Sequence, residues 1–179
     1  MLKFFSFKER GGFTLIELLV VIAIIGVLAS IVLASLNNAR RKSRDARRIT
    51  DLKQIQLALE LYFDGQGSAY PAANTTCDAT TNAYNLQALA TNGYIPTVPR
   101  DPLSSGTTPV CYKYATPSSG NITTYHLGAT LEDSANPAFN GDRDCTSSGT
   151  ADCVSGITGY NNGFDGKTDG TNRVYDVIP

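Results

Sequence analysis

The chain carries the stretch Gly11-Gly12-Phe13-Thr14-Leu15-Ile16-Glu17, and the residues that follow, Leu18 to Leu36, contain no charge. About 20 apolar residues are enough to cross a bilayer as a helix. Because an unpaired carboxylate in hydrocarbon costs roughly 3 kcal/mol, Glu17 needs a positively charged partner inside a protein assembly. The nearest candidate is the amine that cleavage after Gly12 would create at Phe13.

A short basic leader precedes this stretch. It holds Lys3, Lys8 and Arg10. Followed by Gly-Phe-Thr-Leu-Ile-Glu and an apolar helix, it closely resembles the class III signal of type IV pilins and type II secretion pseudopilins, and the resemblance extends to about Phe63. It implies that a membrane prepilin peptidase cuts between Gly12 and Phe13 and methylates the new terminal nitrogen.

The same resemblance implies a role in assembly. In the family, the glutamate that matches Glu17 pairs with the amine of a neighbouring subunit while a filament forms. The implied partners are the prepilin peptidase, other pilin or pseudopilin subunits, an inner-membrane assembly platform with its ATPase motor, and membrane lipid before assembly. One departure is that many members carry a helix-bending proline in the apolar segment, whereas this chain has none between Phe13 and Phe63.

Beyond the apolar run, hydrophobic residues recur with helical spacing. They are Ile49, Leu52, Ile55, Leu59 and Tyr62, set among polar neighbours. This stripe predicts one helix from Phe13 to about Phe63, whose second half packs against another element. Together with the resemblance, it predicts an α+β, pilin-like fold: a long N-terminal α-helix, transmembrane in its N-terminal half, packed on a small antiparallel β-sheet.

Three segments follow from this reading. Residues 1–12 are a cytoplasmic leader that is cleaved, 13–36 a transmembrane and assembly helix, and 37–179 an extracytoplasmic head that includes the second half of the helix. The positive-inside rule would instead place the cations after residue 39 in the cytoplasm. Since the peptidase must reach the leader, we predict a single-pass protein of a bacterial-type cytoplasmic (inner) membrane, with the head outside the cytoplasm and later part of a filament.

Six cations follow the apolar run closely. They are Arg40, Arg41, Lys42, Arg44, Arg47 and Arg48. Such a cluster predicts anchoring beside anionic lipid, at about 1 kcal/mol per cation. It lacks the interleaved aromatic residues and the recognised fold of a nucleic-acid site, so no nucleic acid is expected as a partner.

The head combines short regular elements with long polar loops. A short helix is predicted over 85–91, with Asn85 as its cap and Leu86 and Leu89 facing inward. Strands are predicted at 110–116, 122–130 and 173–178, the first two joined by a hairpin connection at 117–121. Residues 132–172 form a loop region too polar to bury much apolar area.

Four cysteines lie beyond the apolar segment. Their even number suits disulfides in an oxidising compartment. Four cysteines permit three pairings; proximity in the sequence favours Cys145 with Cys153, which leaves Cys77 with Cys111. A zinc site is the rival reading, but the chain has no C-x-x-C, and His126 is its only histidine.

The C-terminal loop is acidic. Its residues Asp165, Asp169 and Asp176 partly match a calcium loop, although Lys167 and Arg173 occupy places where that loop needs oxygen ligands. Major pseudopilins hold calcium in a C-terminal acidic loop, so the resemblance implies a structural calcium ion; no other cofactor is expected. The alternative is that these acids are solvated turn residues.

The predicted function is structural. The chain has no G-x-S-x-G, no H-E-x-x-H and no phosphate loop after a strand, so we do not expect an enzyme. We predict a subunit of a type IV pilus or a type II secretion pseudopilus; Pro99-Arg100-Asp101-Pro102 and the acidic loop favour the pseudopilus, and the four cysteines favour the pilus. The alternative is a membrane-anchored extracytoplasmic binding module.

Overall fold

The computed structural model describes residues 12–74, 77, 86–105, 110–118, 120–148, 152–153, 157–159, 163–167 and 173–179, with only the backbone at 157–159. The chain divides into two compact units, Met1–Arg40 and Arg41–Pro179. Helix α1 covers Leu15–Gly65. The prediction of one helix from Phe13 to about Phe63 is therefore confirmed to within two residues at each end.

The first unit exposes its apolar side chains. Between Phe13 and Leu36, sixteen large apolar side chains are each between 41% and 90% exposed. This helix is apolar enough and long enough to cross a membrane. The segment has no hydrophobic core of its own.

The second unit is built on the apolar stripe of α1. Leu52, Ile55 and Leu59 are each 0% exposed and belong to the main hydrophobic core. Ile49 and Tyr62 are partly buried at its edge. Half of the core residues outside α1 are aromatic, and these residues come from a short helix, the strands and the loops of the head: Tyr70, Leu86, Leu89, Val98, Tyr112, Tyr114, Tyr125, Leu127, Ala129, Leu131, Phe139 and Tyr175.

Within the described residues the sheet has four strands, β1 (Lys113–Pro117), β2 (His126–Thr130), β3 (Ile157–Gly159) and β4 (Val174–Val177). Their order is β3-β1-β2-β4, and all neighbours are antiparallel. Tyr114 lies opposite Leu127 between β1 and β2, and Gly128 lies opposite Asp176 between β2 and β4. The predicted pilin-like α+β fold is confirmed.

Several element boundaries differ from the prediction. Strand β2 begins at His126 rather than at residue 122, because the carbonyl of Ile122 accepts the backbone N–H of Tyr70 at 2.7 Å and so joins the loop after α1. Strand β3 and a 3₁₀ helix, Pro137–Gly141, lie in the region predicted to be loop.

The short helix α2 covers Gln87–Thr91. Leu86 and Leu89 are both fully buried, as predicted. The cap predicted at Asn85 lies outside the described residues, and Leu86 occupies the cap position without a side-chain hydrogen bond.

Candidate functional site

The first candidate site is the N-terminus of α1. Gly12, Phe13 and Thr14 precede the helix in irregular backbone, and Phe13 is 90% exposed. The Gly12–Phe13 peptide bond predicted for cleavage therefore lies outside regular structure. The predicted assembly residue Glu17 belongs to the first turn of α1, one turn away along the chain.

Thr14 and Glu17 bond to each other reciprocally. The Glu17 carboxylate oxygen Oε2 accepts the backbone N–H of Thr14 at 2.9 Å and its hydroxyl at 2.8 Å, while the Thr14 hydroxyl oxygen accepts the N–H of Glu17 at 3.3 Å. This is a capping box, which satisfies N–H groups that a helix start leaves unpaired. The Thr-x-x-Glu pattern was visible in the sequence, but sequence reasoning assigned Glu17 only an assembly role.

The capping box supplies hydrogen bonds but no opposite charge. Among the residues that the structure describes, Glu17 has no ion-pair partner, and both bonds from Thr14 reach the same oxygen, Oε2. Within the described part of the chain, no donor is assigned to Oε1. This carboxylate therefore retains the capacity to bind a cation from outside the chain.

The second candidate site is an ion cluster that joins α1 to two loops of the head. The Arg48 guanidinium, 2% exposed, donates Nε–H to Asp101 Oδ2 at 2.7 Å and Nη2–H to Asp101 Oδ1 at 3.2 Å. Its Nη1 donates to Asp45 Oδ1 at 2.7 Å and to Glu132 Oε1 at 2.9 Å. Burial alone would lower the pKa of Arg48, but these hydrogen bonds together raise it above its ordinary value.

Asp45 and Glu132 complete the ion cluster. Asp45, itself fully buried, accepts the backbone N–H groups of Glu132 and Asp133, each at 2.9 Å. Arg44 donates two hydrogen bonds of 2.7 Å to the Glu132 carboxylate. The hydrogen bonds from Arg44, with a further one from Arg48, lower the pKa of Glu132 to about 2 despite its partial burial.

The ion cluster corrects one prediction. Arg48 is buried against carboxylates of its own chain, so anchoring beside anionic lipid is wrong for this residue. Arg44 also binds a carboxylate of its own chain, but its side chain is 30% exposed. Among the other predicted cations, Arg47 is 61% exposed at its side chain and lies 3.7 Å from Asp51. Sequence reasoning missed the cluster because Asp101 and Glu132 are distant from α1 along the chain.

The third candidate site is a buried polar cluster between β2 and β4. His126 places Nδ1 2.7 Å from Ser147 Oγ and Nε2 2.7 Å from Asp176 Oδ2, and all three side chains are at most 2% exposed. The imidazole stacks on Phe164 with a centroid distance of 3.7 Å. Serine, histidine and aspartate are the residue types of a hydrolase triad, but this serine is buried and also accepts the N–H of Phe164 at 3.0 Å. Substrate cannot reach it in this arrangement.

Two disulfides brace the head. Cys77 is bonded to Cys111, and Cys145 to Cys153. These are the same pairs that the sequence favoured. The second disulfide adjoins the buried polar cluster, since Cys145 Sγ lies 3.8 Å from His126 Nε2.

Two of the predicted calcium residues, Asp165 and Asp176, lie in the described part of the chain, and both oxygens of Asp176 already accept hydrogen bonds. Asp176 Oδ1 accepts two backbone N–H groups at 3.1 Å, and Oδ2 accepts a third at 3.3 Å beside His126. A Cβ at Gly166 would overlap the same carboxylate, so backbone fills the space next to it. Asp165 accepts the N–H of Lys167 at 2.9 Å, and Asp169 lies outside the described residues. The geometry at Asp176 does not suit a calcium ligand, and the calcium site stays a prediction.

Comparison with known proteins supports the class of protein indicated by the N-terminus of α1 and by the fold. A family model described as the prokaryotic N-terminal methylation motif matches residues 8–33. The type II secretion system core protein G of Escherichia coli K12 is 39% identical over 100 residues, 53% of this chain and 67% of the relative. The protein of the same name from Vibrio cholerae is 32% identical over 126 residues, 68% of this chain and 82% of the relative.

A further relative carries a different name. The probable minor fimbrial protein of Dichelobacter nodosus is 40% identical over 80 residues, 44% of this chain and 50% of the relative. No solved structure matches the chain significantly.

An exposed apolar helix with a methylation motif continues into a small α+β head. This combination defines a structural subunit of the pilin and pseudopilin class. Coverage of more than four fifths of the Vibrio cholerae relative identifies the group within that class. The chain belongs to the type II secretion system core protein G family.

Proposed function

We propose that the chain is a filament subunit which is cut between Gly12 and Phe13, methylated on the Phe13 nitrogen and polymerised through residues 13–36. The carrying observation is Glu17, a carboxylate in an exposed apolar segment with no ion-pair partner among the described residues. In the filament, its partner would be the Phe13 amine of an adjacent subunit.

Solvation supports this assignment. Soluble monomers rarely expose contiguous apolar patches beyond a few hundred Å², so the sixteen exposed apolar side chains of residues 13–36 require cover by lipid or by protein. In either environment, Glu17 costs roughly 3 kcal/mol unless it is paired. Packing the apolar helices of many subunits together meets both requirements, because it covers the segment and brings one subunit's carboxylate to another's amine.

The capping box is compatible with this pairing. Cleavage after Gly12 leaves the Phe13–Thr14 peptide bond intact, so the Thr14 N–H remains available to Glu17 Oε2. An incoming amine would then meet Oε1, for which the described residues provide no donor. Glu17 would cap its own helix with one oxygen and bind the neighbouring amine with the other.

The names of the relatives suggest the filament system in which this subunit acts. Since the relatives are core proteins of type II secretion systems, we propose that this chain forms the pseudopilus of such a system; the minor fimbrial relative makes a pilus the second candidate. The proposed partners are a prepilin peptidase, further copies of the subunit, and an inner-membrane platform with its ATPase motor. Before assembly, residues 13–36 would lie in the cytoplasmic membrane, with the head outside the cytoplasm.

Intact-mass measurement of the chain isolated from membranes and from filaments tests the proposal. We expect a subunit that begins at Phe13 and carries one methyl group. A Gly12→Leu chain, in which a bulky residue precedes the cut, should retain Met1 and provide the unprocessed reference. Filament material that retains Met1 would contradict the proposal, because the amine required by Glu17 would not exist at that depth.

A further inference from the structure

The Cys145–Cys153 disulfide lies against two potential metal ligands. Cys145 Sγ is 3.8 Å from His126 Nε2 and 3.6 Å from Asp176 Oδ2. A ring nitrogen of His126 and the two sulfur atoms all lie within 4.8 Å of one another. Histidine, cysteine and acidic side chains can all bind metals. Among the described residues, these three form the one group of such side chains that is compact enough to hold a metal ion.

These separations are close to those of a tetrahedral zinc site. Zinc binds sulfur at about 2.3 Å and nitrogen or oxygen at about 2.0 to 2.2 Å, which places neighbouring ligand atoms about 3.3 to 3.8 Å apart. The distances from Cys145 Sγ to His126 and to Asp176 already fall in this range. The two sulfurs must separate, and the 2.7 Å gap between Nε2 and Oδ2 must widen.

We propose that reduction of the Cys145–Cys153 disulfide turns this cluster into a zinc site. Its four ligands are His126 Nε2, Asp176 Oδ2 and the thiolates of Cys145 and Cys153. A dithiol reductant supplies two electrons and two protons; the S–S bond breaks to give two thiols, and the reductant becomes a disulfide. Zinc then displaces one proton from each thiol.

Ser147 allows the ring proton of His126 to move from Nε2 in the disulfide form to Nδ1 in the zinc-bound form. In the disulfide form, the Asp176 carboxylate can only accept, so Nε2 carries a proton and donates it to Asp176 at 2.7 Å. A neutral ring with its proton on Nε2 then accepts the Ser147 hydroxyl at Nδ1, also at 2.7 Å. When Nε2 binds zinc, its proton must reside on Nδ1, which then donates to Ser147 Oγ. The serine hydroxyl has a second acceptor ready, because the Phe164 carbonyl oxygen lies 3.2 Å away. Such an outer hydrogen bond is what fixes the tautomer of a metal-binding histidine.

The same change frees the carboxylate. Asp176 Oδ2 loses its histidine donor at the moment when Nε2 becomes a ligand, so one lone pair opens toward the metal. Calcium gains no such opening, since it favours oxygen ligands and would leave the histidine in place. Cys153 is only half-buried, which gives a metal ion an approach to the cluster.

The two redox forms therefore hold Cys145 and Cys153 in different ways. In the oxidised chain the disulfide joins the two cysteines to each other, and in the reduced chain the metal would hold both against the sheet, through His126 on β2 and Asp176 on β4. The sequence did not predict this site, because its cysteines are not in a C-x-x-C motif and its other ligands come from separate strands.

Cobalt(II) is the direct probe, because it reports tetrahedral thiolate coordination by absorption. The full chain in detergent is reduced with a phosphine under inert gas and titrated with cobalt. We expect one cobalt per chain, with a thiolate-to-cobalt charge-transfer band and intense visible d–d bands, and displacement of cobalt by zinc. The unreduced chain, which needs no mutation, should show neither band. Absence of the charge-transfer band after reduction would overturn the proposal.

Matched double variants separate this pair of cysteines from the other. Cys77→Ser/Cys111→Ser should keep the cobalt bands, and Cys145→Ser/Cys153→Ser should lose them. Bands that persist in the second variant would overturn the proposal. Ser147→Ala retains all four ligands, and we expect it to weaken cobalt binding about 10- to 100-fold; unchanged affinity in this variant would contradict the role of Ser147.

Discussion

In the first half of α1, the lone carboxylate of Glu17 lies among exposed apolar side chains, whereas in the second half the guanidinium of Arg48 is buried against Asp45, Asp101 and Glu132 of its own chain. Arg48 is already buried in the head, whereas Glu17 becomes buried only when lipid or protein covers residues 13–36. The head neutralises its buried charge internally. The apolar segment has no internal counter-charge among the described residues, so it depends on other molecules.

The cost of burying ions explains the difference. A buried ion pair recovers its desolvation penalty only when the geometry is good and the remaining donors and acceptors are satisfied. Arg48 meets this condition with four hydrogen bonds to three carboxylates. Glu17 has two hydrogen bonds to one oxygen and no counter-charge among the described residues, a state that is tolerable only until the segment is buried.

The largest effect should come from breaking the ion cluster. Arg48→Met leaves Asp45 and Asp101 buried without their cation, so we expect the head to lose about 3 to 5 kcal/mol of unfolding free energy. Arg47→Met is the matched control on the same helix; its side chain is 61% exposed, and the loss should stay within about 1 kcal/mol. Urea unfolding of the full chain in detergent measures both. Equal losses would show that burial of Arg48 is not what matters.

A smaller effect should appear with acid. The pKa of Glu132 is lowered from 4.5 to about 2, so its stabilising contribution is present above pH 4.5 and is lost as the pH falls toward 2. A shift of this size corresponds to about 3 kcal/mol at most, with about 2 kcal/mol lost by pH 3.

Comparing wild type with Glu132→Gln at pH 6 and at pH 3 isolates this carboxylate. The difference in unfolding free energy between the two proteins should shrink by about 2 kcal/mol between these pH values. The same difference at both pH values would mean that the hydrogen bonds from Arg44 and Arg48, rather than the charge of Glu132, stabilise the head.

The smallest effect should come from calcium. Since donors occupy both oxygens of Asp176, we expect calcium to stabilise the head by less than about 1 kcal/mol, a shift of about 2 to 4 °C in melting temperature at most. Thermal unfolding scans of wild type, Asp165→Asn and Asp176→Asn, each with calcium and with chelator, test this. A larger shift that disappears in Asp176→Asn would show that calcium reorganises the C-terminal loop.

The sequence predicted what depends on neighbours along the chain. The membrane-length run, the Gly12–Phe13 junction and the stripe through Leu52, Ile55 and Leu59 are local patterns, so α1 and its buried face could be inferred. The stripe also continues toward the N-terminus with the same spacing, and there it reaches Asp45 and Arg48. That continuation was a usable signal that these two charges face the core.

What the sequence did not predict requires contacts between distant residues. Arg48 meets Asp101 at a separation of 53 residues and Glu132 at 84, and no local rule selects either carboxylate. Strand β3 has three residues in a polar region, too few for a periodic signal. The proximity of His126 to Cys145 likewise depends on how β2 packs against the loop that carries the cysteine.

The central claim is that Glu17 requires the charge of a neighbouring subunit. Glu17→Gln is the sharpest variant, because glutamine can take the glutamate's place in a capping box but carries no charge. It is compared with Glu17→Ala, which removes both the cap and the charge, and with wild type. Intact mass must first show that all three chains begin at Phe13.

Filament yield, counted by electron microscopy at matched subunit levels, then gives the answer. We predict that neither Glu17→Gln nor Glu17→Ala forms filaments, while both remain in the membrane with folded heads. Filaments of Glu17→Gln at the wild-type level, with none from Glu17→Ala, would contradict the claim, because helix capping alone would then account for the role of Glu17.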